Sequence, residues 1–210
     1  MDIVEDHSRT QEEADTPMIR LVNIILESCT SSYIVVSSPD TDVFVLLLSS
    51  ALTAHHPQRG NQIFFRTGVK EKYRGLKMEH FVSKLNESHV RGMIGFHAFT
   101  GCDQIGKYNG ISKARLVKMY LSSTTDQVNC FEMLGQDNLI SHNMDTLNDG
   151  LSKFLTKAYT TQGITAANIG ELRWQLFSKK QLTSDKLPPT MGAFKWKVLR
   201  VHYLSLILCP

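Results

Sequence analysis

Cysteine and proline are scarce in this chain: its 210 residues hold four of the first and six of the second. The cysteines, Cys29, Cys102, Cys130 and Cys209, stand far apart, with no CxxC pair and no partner pattern among the histidines. That spacing argues against a zinc site and against a disulfide framework, and it fits a reducing compartment. No apolar run approaches the roughly 18 residues of a membrane span, and the first residues are acidic and polar, unlike a signal peptide. The expectation is a soluble, intracellular chain with no membrane partner. Neither sign of charge dominates, since 23 Lys and Arg face 20 Asp and Glu for a formal net charge of +3.

What is present is ordinary globular material, 42% hydrophobic and 20% charged, long enough for one sizeable core. The charges are unevenly placed. Residues 1–50 carry nine acids against two bases, residues 51–150 nine against twelve, and residues 151–210 two against nine. The acidic end suits cations and the basic end suits a polyanion, although an uneven solvated surface gives the same count.

The organising stretch is Tyr33-Ile34-Val35-Val36-Ser37-Ser38-Pro39-Asp40-Thr41-Asp42. A continuous apolar run reads as a buried parallel strand, and α/β sheets place their chemistry past the carboxyl ends of their strands. Asp40 and Asp42 therefore fall where a site would be. Before them, from Glu12, a helix is expected, with Met18, Leu21, Val22, Ile25 and Leu26 as its apolar stripe. Glu13 and Asp15 lie in its first turn, where acids often serve only the helix dipole. After Pro39 the run Val43 to Leu48 continues through Ala51 and Leu52 as a helix opened by Asp40 and Asp42. A short strand is expected over Gln62 to Arg66 and a further one within Val69 to Leu76. The adjacent His55 and His56, before Pro57, read as an exposed turn rather than as metal ligands.

Helices are expected over Met78 to Leu85 and Val90 to Phe99, with Met93, Ile94, His97 and Ala98 on one face and His97 as a core histidine. The stretch Thr100-Gly101-Cys102-Asp103 follows, and then Gly106 and Gly110 mark turns before Ser112 and Lys113 open another helix. A turn feeding a helix N-terminus beside Lys113 and Arg115 suits a phosphate. Residues 122–150 read as loops with short helical pieces, and helical spacing returns from Leu151 and again from Ile169. Leu187-Pro188-Pro189-Thr190 stops that pattern before a very apolar final helix.

Taken together, Glu13-Ala14-Asp15, Ser38-Pro39-Asp40-Thr41-Asp42, and Gly101-Cys102-Asp103 followed by Gly110-Ile111-Ser112 resemble the internal domain of the flap endonuclease/XPG-type nucleases, within the PIN-like class. The resemblance covers roughly residues 11–120. It implies a metal site for Mg2+ or Mn2+ built from Glu13, Asp15, Asp40, Asp42 and Asp103, with Asp40, Asp42 and Asp103 as the catalytic carboxylates. It also implies nucleic-acid contacts at Gly110, Ser112, Lys113 and Arg115, where Ser112 replaces the second glycine of the family's hairpin. DNA is the expected substrate ahead of RNA, and the nucleus the expected location. The implied fold is α/β: a parallel sheet flanked by helices, PIN-like and truncated, with a C-terminal helical appendage. The expected domains are residues 1–121 and 122–210. The Leu-Pro-Pro-Thr segment and the helix after it further resemble a group of long uncharacterised animal proteins that carry such a region as one part. On that likeness, a missing N-terminal part of a larger chain would complete the sheet.

The chemistry fits these residue types. Mg2+ prefers oxygen ligands and keeps several waters, and two ions about 4 Å apart can serve both the attacking and the leaving oxygen of a phosphodiester. Two other readings stay open. A degenerate relative would bind nucleic acid or protein without cutting. A phosphatase of the haloacid dehalogenase type would use Asp40 as nucleophile and Asp42 as general acid, but gives Glu13 and Asp15 no role.

Overall fold

The computed structural model describes residues 15–54, 60–68, 72–136, 144–179 and 183–208. The chain divides into two compact units, residues 1–79 and 80–209. In the first, α1 (Asp15–Ser28), β1 (Tyr33–Ser37), α2 (Thr41–Ala54), β2 (Gln62–Thr67) and β3 (Arg74–Lys77) follow one another. β1 and β2 run parallel, joined through α2, and β3 pairs antiparallel with β2 in the order β1-β2-β3. The architecture is α/β as expected, but the sheet is small and mixed rather than all parallel. The connection from Thr67 to Arg74 is too short for a crossover and can only reverse the chain.

β1 is not buried on both faces, as its apolar run suggested. Ile34 and Val36 are buried, whereas Tyr33 and Val35 are 69% and 55% exposed. The register sets Ile34 beside Ile63 and Val36 beside Phe65, and Phe65 meets Phe44 of α2 with ring centroids 5.5 Å apart. That face is covered. The opposite face carries Tyr33 and Phe64 stacked at 4.7 Å, with the Lys77 ammonium over the Phe64 ring. The stripe of α1 is also rotated from the expected one. Thr16, Ile19, Val22 and Leu26 are buried, while Leu21 is 58% exposed. Steps of three, three and four residues follow the helical period more closely than the block of apolar residues does.

One buried polar side chain ties the first unit together. Asn61, 5% exposed, accepts from the Ser32 N–H at 2.8 Å and donates to the carbonyls of Cys29 at 3.2 Å and Leu26 at 3.5 Å. It thus joins the end of α1, the start of β1 and the start of β2, and supplies partners for carbonyls that a helix end leaves open. Asn61→Ala is expected to destabilise this unit by about 1–3 kcal/mol, the cost of stranding buried donors and acceptors. Urea denaturation followed by circular dichroism checks this, and an unchanged midpoint would contradict it.

The boundary between units falls inside α3 (Met78–Lys84). The second unit then holds α4 (Glu87–Arg91), α5 (Met93–Thr100), α6 (Lys113–Leu121), α7 (Thr125–Glu132), α8 (Met144–Tyr159), α9 (Ile169–Ser178), a 3-10 turn at Ser184–Lys186, and α10 (Met191–Leu208). The domain boundary expected near residue 121 falls between α6 and α7, inside this unit. The single helix expected over Val90 to Phe99 is two, meeting at Gly92, which closes α4 and opens α5. α5 is buried from Ile94 to Thr100, as befits a helix apolar on every side, and packs against α7 and α10. Around it Phe96 stacks on Tyr120 at 4.2 Å, and Phe99, Phe131, Phe154 and Phe194 meet edge to face.

Residues 122–136 and 144–150 hold more helix than their composition suggested. α7 starts at Thr125 and α8 already at Met144, with Leu147, Leu151, Phe154, Leu155 and Ala158 buried at helical spacing. Asp126, Asp145 and Asp149 are exposed, and Asp149 pairs with Lys153 at 2.6 Å, one turn on. Burial raises the pKa of the Tyr120 and Tyr159 hydroxyls, the latter to about 12. Both remain neutral donors, Tyr120 to the His89 carbonyl at 2.7 Å and Tyr159 to the Asn109 carbonyl.

Candidate functional site at the carboxyl edge of the sheet

β1 ends at Ser37, and the Ser38 N–H donates to the Arg66 carbonyl at 3.1 Å as the last rung beside β2. Pro39 breaks the ladder, because it has no N–H to give. The Ser38 hydroxyl then accepts from the Asp40 N–H at 3.0 Å, and the Asp40 carboxylate Oδ1 accepts from the Asp42 N–H at 3.0 Å. Asp40 is therefore the N-cap of α2, and Asp42 lies in its first turn. Two successive side-chain-to-backbone bonds fix this turn, so both carboxylates are held at the point where the strand hands over to the helix. Asp40 and Asp42 are both partly buried.

Asn61 holds the last turn of α1 beside the beginnings of β1 and β2, at the amino edge of the strands. α1 packs on α2, and Asp15 lies in its first turn. Asp40 and Asp42 lie at the carboxyl end of β1. Glu13, and likewise His55 and His56, lie outside the described residues. Among the described residues no three His, Cys, Asp or Glu side chains gather as a metal-holding group. The donor set still suits Mg2+ in kind, because that ion is commonly held by one or two carboxylates, its own waters and substrate phosphate.

In the second unit, Asp103 is exposed in the turn after α5. The turn is closed by reciprocal bonds between Cys102 and Ile105, N to O at 3.0 and 3.2 Å. Ser112 caps α6, accepting from the Arg115 N–H at 3.3 Å. The Lys113 ammonium donates to the Gly101 carbonyl at 2.7 Å and lies 3.3 Å from the Nδ1 of His97. His97 is 5% exposed, a core histidine as expected. The Arg115 guanidinium donates to the Thr160 carbonyl at 3.1 Å. The Arg115 guanidinium has five N–H groups, and this bond uses one of them. Gly110 has φ +75°, and a Cβ there would stand 2.7 Å from the Lys186 carbonyl oxygen. Its glycine is explained by that close approach of backbone to backbone.

Sequence reasoning passed over a second group of residues in this unit. Gln104, Ile105 and Gly106 on one side, and Ala193, Trp196, Lys197 and Arg200 of α10 on the other, line a cleft of about 580 Å3. The available signal was the sequence of α10 itself, which contains bases and no acid. No protein-family model, no curated protein and no solved structure matches the chain.

Proposed function

We propose that the chain is a divalent-metal-dependent nuclease that hydrolyses phosphodiester bonds, of DNA in preference to RNA, with Asp40 and Asp42 as the carboxylates that hold Mg2+ or Mn2+. The observation that carries this reading is that Asp40 and Asp42 stand where β1 hands over to α2, at the carboxyl end of the strand, where α/β proteins bind their ligands. The motif likeness to PIN-like domains of the flap endonuclease/XPG type points the same way. Asp40 spends one oxygen on its cap bond, and among the described residues the other takes part in no hydrogen bond or ion pair. The cap bond also fixes the carboxylate's direction, so little ordering is left to be done when the cation and the phosphate arrive. The ion, once bound, supplies positive charge for the phosphate and favours ionisation of an attacking water.

A second reading has one observation in its favour. Capping α2 accounts for the Asp40 carboxylate without any metal, as it would in a relative that binds nucleic acid and does not cut. Incubation of the intact chain with end-labelled single-stranded and branched DNA, in Mg2+, in Mn2+ and in EDTA, separates the two. Metal-dependent shortening of the label is the expected result. Intact DNA under all three conditions would overturn the nuclease reading.

A further inference from the structure

α10 is apolar on two sides. Its inner side, Phe194, Val198, Val201, Leu204 and Leu208, is buried in the second unit. Its outer side carries Trp196 at 68% exposure and Tyr203 at 67%, with Lys195 and Arg200 exposed beside them. Trp196, Arg200 and Tyr203 are spaced four and three residues apart, so they form one row along the helix. Large planar rings left in water next to cations, on a helix without an acid, call for a partner that is both anionic and flat.

The cleft beside this row is a built feature. Its far wall, Gln104 to Gly106, is held by the closed turn at Cys102–Ile105 and by the buried side chain of Ile105. On the near wall the Lys197 ammonium donates to the Gly106 carbonyl and lies 3.7 Å from the centroid of the Tyr108 ring. Burial lowers the pKa of Lys197 to about 8, while the nearby Cys102 thiol acts in the opposite direction. This cation has a carbonyl and a π-face for company and no carboxylate in any ion pair among the described residues. Arg200 follows it by three residues on the same helix and lines the same cleft.

We propose that this cleft and the outer face of α10 bind single-stranded nucleic acid, with a backbone phosphate between Lys197 and Arg200 and bases stacked on Trp196 and Tyr203. Cations that track phosphates and aromatic rings that stack bases are the recurrent means of holding single strands without sequence preference. An acidic peptide would satisfy the cations and leave both rings in water. A duplex hides the faces of its bases and has nothing to offer the rings. The surface deepens the nuclease reading, since it would hold the substrate strand, but its own binding needs no metal and no cleavage.

The chain has two tryptophans, so Trp174→Phe leaves Trp196 as the one fluorescent reporter. This variant of the intact chain is titrated in EDTA with an oligothymidylate, with a duplex of the same length, and with a polyglutamate of equal charge. Quenching by the single strand is expected, saturable and salt-dependent. Arg200→Glu in the same background should weaken it about tenfold or more. Trp196→Ala, read by anisotropy of a labelled oligothymidylate, should weaken binding to a similar degree. Both side chains are exposed, so both variants should fold, which circular dichroism verifies. Absence of quenching, equal quenching by polyglutamate, or unchanged affinity in both variants would overturn the proposal. Binding in EDTA without cleavage in Mg2+ would leave it standing and defeat the nuclease reading; cleavage without this quenching would do the reverse.

Discussion

Asp40→Asn should leave the protein folded and lower metal-dependent DNA cleavage by about 100-fold, close to 3 kcal/mol of lost transition-state stabilisation. The two parts of this expectation come from separate roles of one side chain. As N-cap of α2, Asp40 offers an oxygen to the Asp42 N–H at 3.0 Å, and an asparagine oxygen makes the same bond. As a cation ligand it offers negative charge, which asparagine lacks. Asp40→Ala removes both and should add a stability loss of about 1 kcal/mol. Thermal melts of the two variants, run beside cleavage assays, separate the roles. If Asp40→Asn cleaves as well as the parent protein, the charge at this position does no chemistry.

Gly95→Ala should destabilise the second unit by about 2–3 kcal/mol, although alanine favours a helix over glycine by about 1 kcal/mol. The reason is the closeness of α5 to the end of α7. A Cβ on Gly95 would stand 2.2 Å from the Phe131 carbonyl oxygen and 2.9 Å from the Leu134 Cβ. The first of these is backbone and cannot swing aside. Accommodating the methyl means separating α5 from α7, and with it the contacts of Phe96 and Phe99 on Phe131. Gly192→Ala in the first turn of α10 is the matched control, because nothing lies within 4 Å of the added carbon. It should be neutral or slightly stabilising. Urea midpoints measure both, and a Gly95→Ala protein as stable as its parent would mean that the two helices are not so tightly joined.

The sequence made the handover from β1 to α2 readable, because an apolar run, a proline and two aspartates leave few alternatives. It also announced α10, through a long apolar stretch after Leu187-Pro188-Pro189-Thr190. Other features depend on partners distant in the chain and carry no local mark. The open face of β1 follows from the helices covering only the Phe65 side, which no property of Tyr33 or Val35 declares. Asn61 looks like any turn residue until the end of α1 is placed beside it. The early start of α8 was hidden because Asp145 and Asp149 on its outer face resemble loop residues, while the burial of Leu147 shows which side faces the core. The cleft residues escaped for a similar reason: the basic end of the chain suited a polyanion, but Trp196 and Arg200 sit in a segment whose apolarity pointed to packing and marked neither of them.

The nuclease reading meets its most direct test in calorimetric titration of Mn2+ and Mg2+ into the intact chain and into an Asp40→Asn/Asp42→Asn variant with an unchanged circular dichroism spectrum. Saturable heat in the parent and none in the variant is the expected result, since asparagine preserves the Asp40 cap bond while removing both charges. Equal heats in the two proteins, or none in a folded parent, would contradict a metal site at this edge of the sheet.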